Sequence, residues 1–430
     1  MMNWKENLRK LLRYLLIGSK DLVLEAKTPQ LERRFEGISS LGLYLHIPFC
    51  RQICPYCPYN KELYCPTKAQ QYKEALIKEV NAYAPLVSNI PMTSFYIGGG
   101  TPTTMIHGCL EEILDHIYRT FKMQCDIHME SHPNDLSETN LNAIAAMGVA
   151  HLSIGVEALQ DHHLHALCRL YTADQVRAAV LRAVSTDFSS VNADFMFALP
   201  HQSYGEVEQT ARELIELGVD QVAAYPIFTF PYTRWSVFHK DKDNIPRKVI
   251  QRRKMMVSLE RIFQQAGFER TSVWAFTKQG VPKYCSVTVP RYIGLGASGG
   301  SYLDDVLYFN TFNVSEYIVA LENGRMPIAL SMELSRRMQM AGWLYWRIYE
   351  TRFRKSDFQK RFGQGFDKVY GLYMKMLSIL GFLSVKGDEI VLSDHGAYWL
   401  HVLQDLFSID YVSRLWGISE NEPWPRRVVL

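Results

Sequence analysis

Three cysteines packed into one short loop constrain this chain more than any other feature. Cys50, Cys54 and Cys57 stand at C-x3-C-x2-C spacing inside the stretch from Tyr44 to Asn60, which runs from a short apolar segment through a Pro turn. Thiolates are soft ligands suited to iron–sulfur clusters and to zinc. A four-iron cubane held by three cysteines keeps one iron without a protein ligand, and that iron is open to chemistry. A structural zinc site would close its tetrahedron with a fourth Cys or His. Cys65 and His46 are near enough in sequence to serve. On spacing, a cluster is favoured and zinc stays open.

The rest of the composition narrows the class. A chain of 430 residues is long enough for two or three domains, each with its own core. With 47 basic and 44 acidic residues the net charge is +3, which argues against a nucleic-acid partner. No apolar run approaches the roughly 18 residues that span a bilayer, so no integral membrane segment is expected. Residues 1–20 hold only the short apolar run Leu15–Gly18, with no small-residue cleavage site after it. No signal peptide is expected, and the location is read as cytoplasmic. Cys65, Cys109, Cys125, Cys168 and Cys285 are scattered and read as inert thiols rather than as a disulfide framework.

Periodicity sets the fold class. Strands are expected at Leu41–His46, Ser94–Ile97, Asp126–Glu130, His151–Val156, Val191–Phe197 and Gln221–Pro226. Helices with apolar positions three and four apart fill the gaps at 68–84, 110–121, 137–147, 173–185 and 204–217. Ser137 and Thr172 suit helix N-caps. This alternation predicts an α/β protein built on a partial (β/α)6 barrel. Before it, residues 1–40 form an N-terminal helical extension whose segment Trp4–Leu16 reads as a surface helix. Residues 41–330 hold the barrel and a less regular extension. Residues 331–430 form a smaller, mostly helical domain with a ribbon at Phe382–Leu392 turning at Lys386-Gly387, the pattern of a winged helix.

Further motifs fall at the expected strand ends, where a barrel of this kind gathers its active residues. Gly98-Gly99-Gly100-Thr101 follows the second strand; its glycines permit close approach of backbone to a ligand, and Thr101 adds a hydroxyl. Glu130 ends the third strand, flanked by His128 and His132, which read as structural. Ser153, Gly155 and Glu157 end the fourth strand, and Arg169 follows twelve residues later with the fork that grips a carboxylate. Asp194 stands among apolar residues of the fifth strand and must be partnered if buried. A late glycine-rich string runs from Tyr292 to Gly300, and an aromatic stretch from Phe228 to Trp235.

The cysteine spacing, with Tyr56 before the third Cys, resembles the radical S-adenosylmethionine (SAM) superfamily. The longer string from Tyr44 to Cys50 looks like its oxygen-independent coproporphyrinogen III oxidase-like branch. The resemblance covers roughly residues 41–395. It implies a [4Fe-4S] cluster on Cys50, Cys54 and Cys57, with one SAM on the open iron, or two where the late glycine loop holds a second. It implies SAM contacts from Tyr44, Tyr56, Gly98, Gly99, Gly100, Thr101, Glu130, Glu157, Arg169 and Asp194. Glu157 stands where the family pattern has Gln, which keeps an acceptor, loses the amide donor and adds a charge. An electron donor such as flavodoxin or ferredoxin is implied, as is an organic, tetrapyrrole-like substrate covered by the C-terminal domain. Asn60-Lys61 matches the oxidases, but Tyr59 replaces their further cysteine. The haem-chaperone branch's His-Asn-x-x-Tyr-Trp string is missing from residues 284–292. A two-SAM methyltransferase and a haem-trafficking protein without turnover are the alternatives to an oxidase-like enzyme.

Overall fold

The computed structural model describes residues 4–238, 245–283 and 289–430. The stretch 284–288, with Cys285, lies outside the described residues. All six expected strands form, parallel and in order: β1 Leu41–Ile47, β2 Met92–Gly99, β3 Ile127–Ser131, β4 Val149–Glu157, β5 Ser190–Phe197 and β6 Gln221–Pro226. The first helix, α1 (Trp4–Ile17), precedes them. The crossover helices are α2 (Pro66–Val87), α3 (Leu110–Thr120), α4 (Glu138–Ala146), α5 (Ala173–Val184) and α6 (Tyr204–Glu216). Ser137 and Thr172 cap α4 and α5, accepting the backbone N–H of Asn140 at 3.2 Å and of Gln175 at 3.3 Å. A buried sheet face explains runs such as Leu41, Leu43, Leu45 and Ile47, each at most 2% exposed, which alternate with Gly42, Tyr44 and His46 on the other face of the strand.

The region read as less regular contains more strand than its sequence suggests. Helix α7 (Ile245–Gln265) leads into β7 Phe268–Arg270 and β8 Ala275–Lys278, an antiparallel pair added beside β6. On the other edge, β9 Tyr292–Leu295 pairs in parallel with β1. It is followed by the antiparallel strands β10 Gly300–Tyr302, β11 Val306–Asn310 and β12 Ile328–Glu333. Strand Val23–Glu25 pairs with β12 and also with Arg427–Val429, so the two ends of the chain meet at one sheet edge. These strands are short and carry few alternating apolar residues, which hid them from a periodicity reading.

The late glycine string is the bend between β9 and β10. A Cβ at Gly294 would lie 2.3 Å from Gly300 O, and one at Gly296 (φ +94°) 2.4 Å from the Tyr72 hydroxyl. The bend is fastened by Glu79 of α2, which is wholly buried. One Glu79 oxygen accepts the Gly296 N–H (2.8 Å) and the Tyr317 hydroxyl (2.5 Å), and the other accepts the Asn310 amide (2.7 Å).

Beyond α8 (Val314–Glu322) and β12 come α9 (Arg336–Tyr349), α10 (Lys355–Phe362), α11 (Phe366–Ile379) and α12 (Asp394–Ser419). The expected ribbon forms as Leu383–Lys386 against Glu389–Leu392, joined by a third strand, Arg352–Arg354. These elements enclose a separate apolar core around Phe353, Phe358, Phe366 and Ile390. Helix α1 lies on the surface as expected, but Arg9 and Arg13 face inward. Arg9 pairs with Asp410 at 2.5 Å, and Arg13 donates to Leu430 O.

Burial pushes the Glu79 carboxyl up to about 7, against the opposing pull of Tyr317, Gly296 and Asn310. The folded state therefore holds this proton more tightly than the unfolded chain, and its contribution to stability falls as pH rises from about 4.5 to about 7. Glu79→Gln should flatten that part of the stability profile, read as the change in midpoint of thermal unfolding between pH 5 and pH 7.

Candidate active site

The C-terminal ends of β1–β6 open onto a cavity of about 570 Å³ whose wall includes Cys50, Cys54 and Cys57. The cysteine loop is fixed at several points. Pro48 O accepts from Glu62 N at 2.8 Å and Cys50 O from Tyr64 N at 2.9 Å; Pro55 O accepts from Trp235 N at 2.9 Å, and Pro58 O from the Tyr232 hydroxyl at 2.7 Å. Lys61 Nζ bonds the carbonyls of Cys57 (2.8 Å) and Tyr59 (2.9 Å). Thr101 Oγ1 lies 3.6 Å from Cys50 Sγ. Burial pushes the Cys50 thiol up to about 12 and raises Cys57 as well, so ionising them needs a bound cation.

The donor set matches a cluster better than zinc. Thiolates on a tetrahedral zinc lie about 3.8 Å apart, whereas the three sulfur atoms here are not all within 4.8 Å of one another. Cys65 is exposed. His46 is already engaged: its Nε2 bonds Asn60 O at 3.0 Å and must be the donor, so Nδ1 accepts the Tyr44 hydroxyl at 2.9 Å. Burial lowers the His46 pKa to about 4, keeping the ring neutral. Tyr44 thus sits behind the cavity wall, stacked on Tyr96 at 6.2 Å, and holds His46.

The three glycines make room for protein as much as for a ligand. A Cβ at Gly98 would lie 2.9 Å from the Glu130 carboxyl, one at Gly99 2.5 Å from His46 Cε1, and one at Gly100 2.7 Å from the Pro48 carbonyl carbon. Glu130 accepts Tyr96 OH at 2.6 Å and Gly99 N at 3.1 Å. Thr101 N donates to Phe49 O at 2.8 Å, so this motif and the cysteine loop are directly bonded.

Three carboxylates, buried Glu157 and half-buried Glu130 and Asp194, share the cavity with the guanidinium of Arg169. Glu157 has φ +64° at a register shift between β4 and β5, and Cys168, just before Arg169, has φ +56°. Such left-handed backbone is costly for a side chain and gathers at functional positions. It aims Glu157 and Arg169 at each other as a salt bridge, with Tyr225 OH 3.3 Å from the second Glu157 oxygen. Glu157 and Arg169 were expected on separate parts of one ligand, yet they bond each other. Asp194 accepts Ser153 Oγ and Asn192 Nδ2, each at 3.0 Å. Burial first, then the charges of Glu157 and Glu130, push the Asp194 carboxyl up to about 8. Arg169 Nε, Tyr56 OH and Asn192 Oδ1 are buried without hydrogen-bond partners. These orphans and the surplus of acid fit a polar, cationic occupant such as SAM.

Tyr96, Asn192 and Tyr225 were missed from sequence. Each lies two or four residues along its strand from a residue singled out or from another cavity residue, so the period-2 rule was the available signal. His132, read as structural, also lines the cavity. The rest of the lining includes Phe228, Phe230 and Trp274, and Tyr345, Trp346 and Tyr349 of α9 with His401 and Asp405 of α12.

Residues 44–214 match the model of the radical SAM superfamily. The chain carries a radical SAM domain. Among curated relatives, it is 24% identical over 361 residues to the heme chaperone HemW of Bacillus subtilis, covering 82% of this chain and 95% of that one. It is also 24% identical over 310 residues to the oxygen-independent coproporphyrinogen III oxidase of Cereibacter sphaeroides, covering 67% and 68%. The solved structure of coproporphyrinogen III oxidase (HemN) from Escherichia coli, a radical SAM enzyme, superposes with a TM-score of 0.75. It covers 89% of this chain and 94% of its own at 19% identity, a shared fold. The radical SAM family implies a [4Fe-4S] cluster and SAM. Among the described residues, no helix is long and apolar enough to cross a membrane.

Gly99 has φ +116° and a colliding Cβ position, whereas Gly108 has φ +89° and open space around it. Gly108→Ala should cost only backbone strain, about 1–3 kcal/mol. Gly99→Ala should cost clearly more in denaturant unfolding, because His46 must also move.

Proposed function

We propose that this radical SAM protein is an enzyme acting on an organic, ring-shaped substrate of tetrapyrrole type. The observation that carries this reading is one continuous cavity lined both by the three cysteines and by a set of aromatic side chains that includes Phe228, Trp274 and Trp346. Cys50, Cys54 and Cys57 would hold the [4Fe-4S] cluster. When bound, the cluster supplies an electron that cleaves SAM to methionine and a 5′-deoxyadenosyl radical.

The chain's own residues have definable tasks in that reaction. Gly99, Gly100 and Thr101 line the wall beside Cys50; their N–H groups are held by Glu130, Ile47 O and Phe49 O, so they shape the wall that SAM meets, while Gly98 gives Glu130 its room. Tyr44, through His46, holds the loop that carries the cysteines. Tyr56 packs edge-on against Trp235 at 6.3 Å and under Arg169 at 5.8 Å, so it fixes the floor under SAM. Arg169 keeps its Nε for a carboxylate, and Glu157 and Asp194 offer acceptors to ribose hydroxyls and to the cation. Phe228, Trp274 and Trp346 suit a flat conjugated face. The helices of 331–430 act as a cover that keeps water from the radical, and an external donor such as flavodoxin or ferredoxin delivers the electron. The free thiols among the described residues suit the reducing cytoplasm.

The length of the match to a heme chaperone supports a second reading, haem capture without turnover. Anaerobically reconstituted, dithionite-reduced protein should form 5′-deoxyadenosine from SAM, and Cys54→Ala should abolish it. An intact cluster with no cleavage but stoichiometric haem binding would replace the enzyme reading with haem capture. S-adenosylhomocysteine beside a methylated product would mark a two-SAM methyltransferase instead.

Asp194, protonated below about 8 in the empty site, should lose its proton when cationic SAM enters. SAM affinity should therefore rise with pH up to about 8 and then level. Calorimetry in buffers of different ionisation heat should register the released proton, and Asp194→Asn should remove that signal.

A further inference from the structure

Outside the cavity, three side chains from two neighbouring loops turn their ligand atoms toward one another. His162 and His163 lie in the short helix Asp161–Ala166 that follows β4, and Glu206 lies in the first turn of α6, after β5. His162 Nε2 is 3.0 Å from Glu206 Oε1, His163 Nε2 is 3.4 Å from the same oxygen, and the three atoms lie within 4.8 Å of one another. Among the described residues they form the one such group of His, Cys, Asp and Glu.

The carboxylate is held in place from its other side. Glu206 Oε2 accepts both the backbone N–H and the hydroxyl of Ser203, each at 2.7 Å, which leaves Oε1 aimed at the imidazoles. The His163 side chain is only 2% exposed, and the Glu206 oxygen at 3.4 Å, too poorly directed for a good hydrogen bond, is the one group its Nε2 meets among the described residues. A buried ring nitrogen in that state needs an explanation. His162 is 65% exposed, so the group is reached from solvent.

We propose that His162, His163 and Glu206 bind a divalent cation of the zinc type through Nε2, Nε2 and Oε1. Ligand atoms about 2.0–2.1 Å from a tetrahedral zinc lie about 3.3–3.4 Å apart, close to the 3.0 and 3.4 Å that separate Glu206 Oε1 from the two imidazole nitrogens. Two imidazoles and one carboxylate are a donor set that suits zinc, with a solvent water in the fourth position. The ion gives the buried His163 nitrogen the well-directed partner that Glu206 at 3.4 Å does not. It also joins the segment between Glu157 and Arg169 to the helix that follows the strand of Asp194, bracing the loops behind three cavity residues. This site uses no thiol and is separate from the cluster.

Cluster-loaded protein dialysed against micromolar Zn(II) tests this, because the three loop cysteines are then occupied by iron. One zinc per chain should be retained with iron content unchanged, and its X-ray absorption should show only nitrogen and oxygen neighbours. His162→Ala, at an exposed position, and Glu206→Gln should each weaken binding by more than the roughly 10–100-fold that loss of an outer hydrogen-bond partner costs. His165→Ala, an exposed neighbour in the same helix, should bind as the parent does. No retained zinc, zinc with sulfur neighbours only, or equal binding by His162→Ala would each overturn the proposal.

Discussion

One neutral imidazole, buried between a strand and the loop that follows it, underlies the geometry of the site. His46 receives the Tyr44 hydroxyl on one nitrogen and gives its N–H to the Asn60 carbonyl on the other. Residues 46 and 60 bracket the loop of the three cysteines, so a single ring closes that loop at its base. The ring also fills the space that a side chain at Gly99 would take, which brings the glycine motif against the same loop. A charged imidazole could not accept from Tyr44, and burial keeps the ring neutral at any ordinary pH. The cysteines therefore meet any incoming group as a preformed set, not as a flexible tether.

Electrostatics divide the cavity into two unlike halves. Near the cysteines, three carboxylates face one guanidinium that is already committed to Glu157. Desolvation makes such a surplus of acid expensive unless a proton or a cation joins it. Other parts of the lining are aromatic, with His401 held between the Trp274 indole N–H (3.3 Å) and Asp405. A molecule that fills both halves needs a polar, positively charged end and a flat apolar body, or else two molecules share the space.

How much of this was legible in the sequence depended on how local each signal was. The six parallel strands and their helices follow from runs whose apolar residues and caps lie within a few positions, and Ser137 and Thr172 cap where they were expected to. The short strands β9 to β12 did not announce themselves, because pairing across the sheet, not local pattern, makes them strands. Within the site, the cysteines and Arg169 were legible through motif spacing. The mutual bond of Glu157 and Arg169 was not, since it depends on the left-handed backbone at Glu157 and Cys168. Glu79 was invisible for a similar reason: nothing near it in sequence shows that Gly296, Asn310 and Tyr317 converge on its carboxylate from more than 200 residues away.

Strand Val23–Glu25 lies between β12 and Arg427–Val429, and Leu24 and Val428 are both fully buried there. On a ribosome, the first of these strands emerges long before either of its neighbours exists. Its apolar residue must wait, unpaired, through the synthesis of the whole barrel, and this part of the sheet is complete only once Arg427–Val429 has been made. Contacts of such long sequence separation form late and slowly. The barrel can therefore assemble its cysteine loop before the strand that precedes it finds its partners.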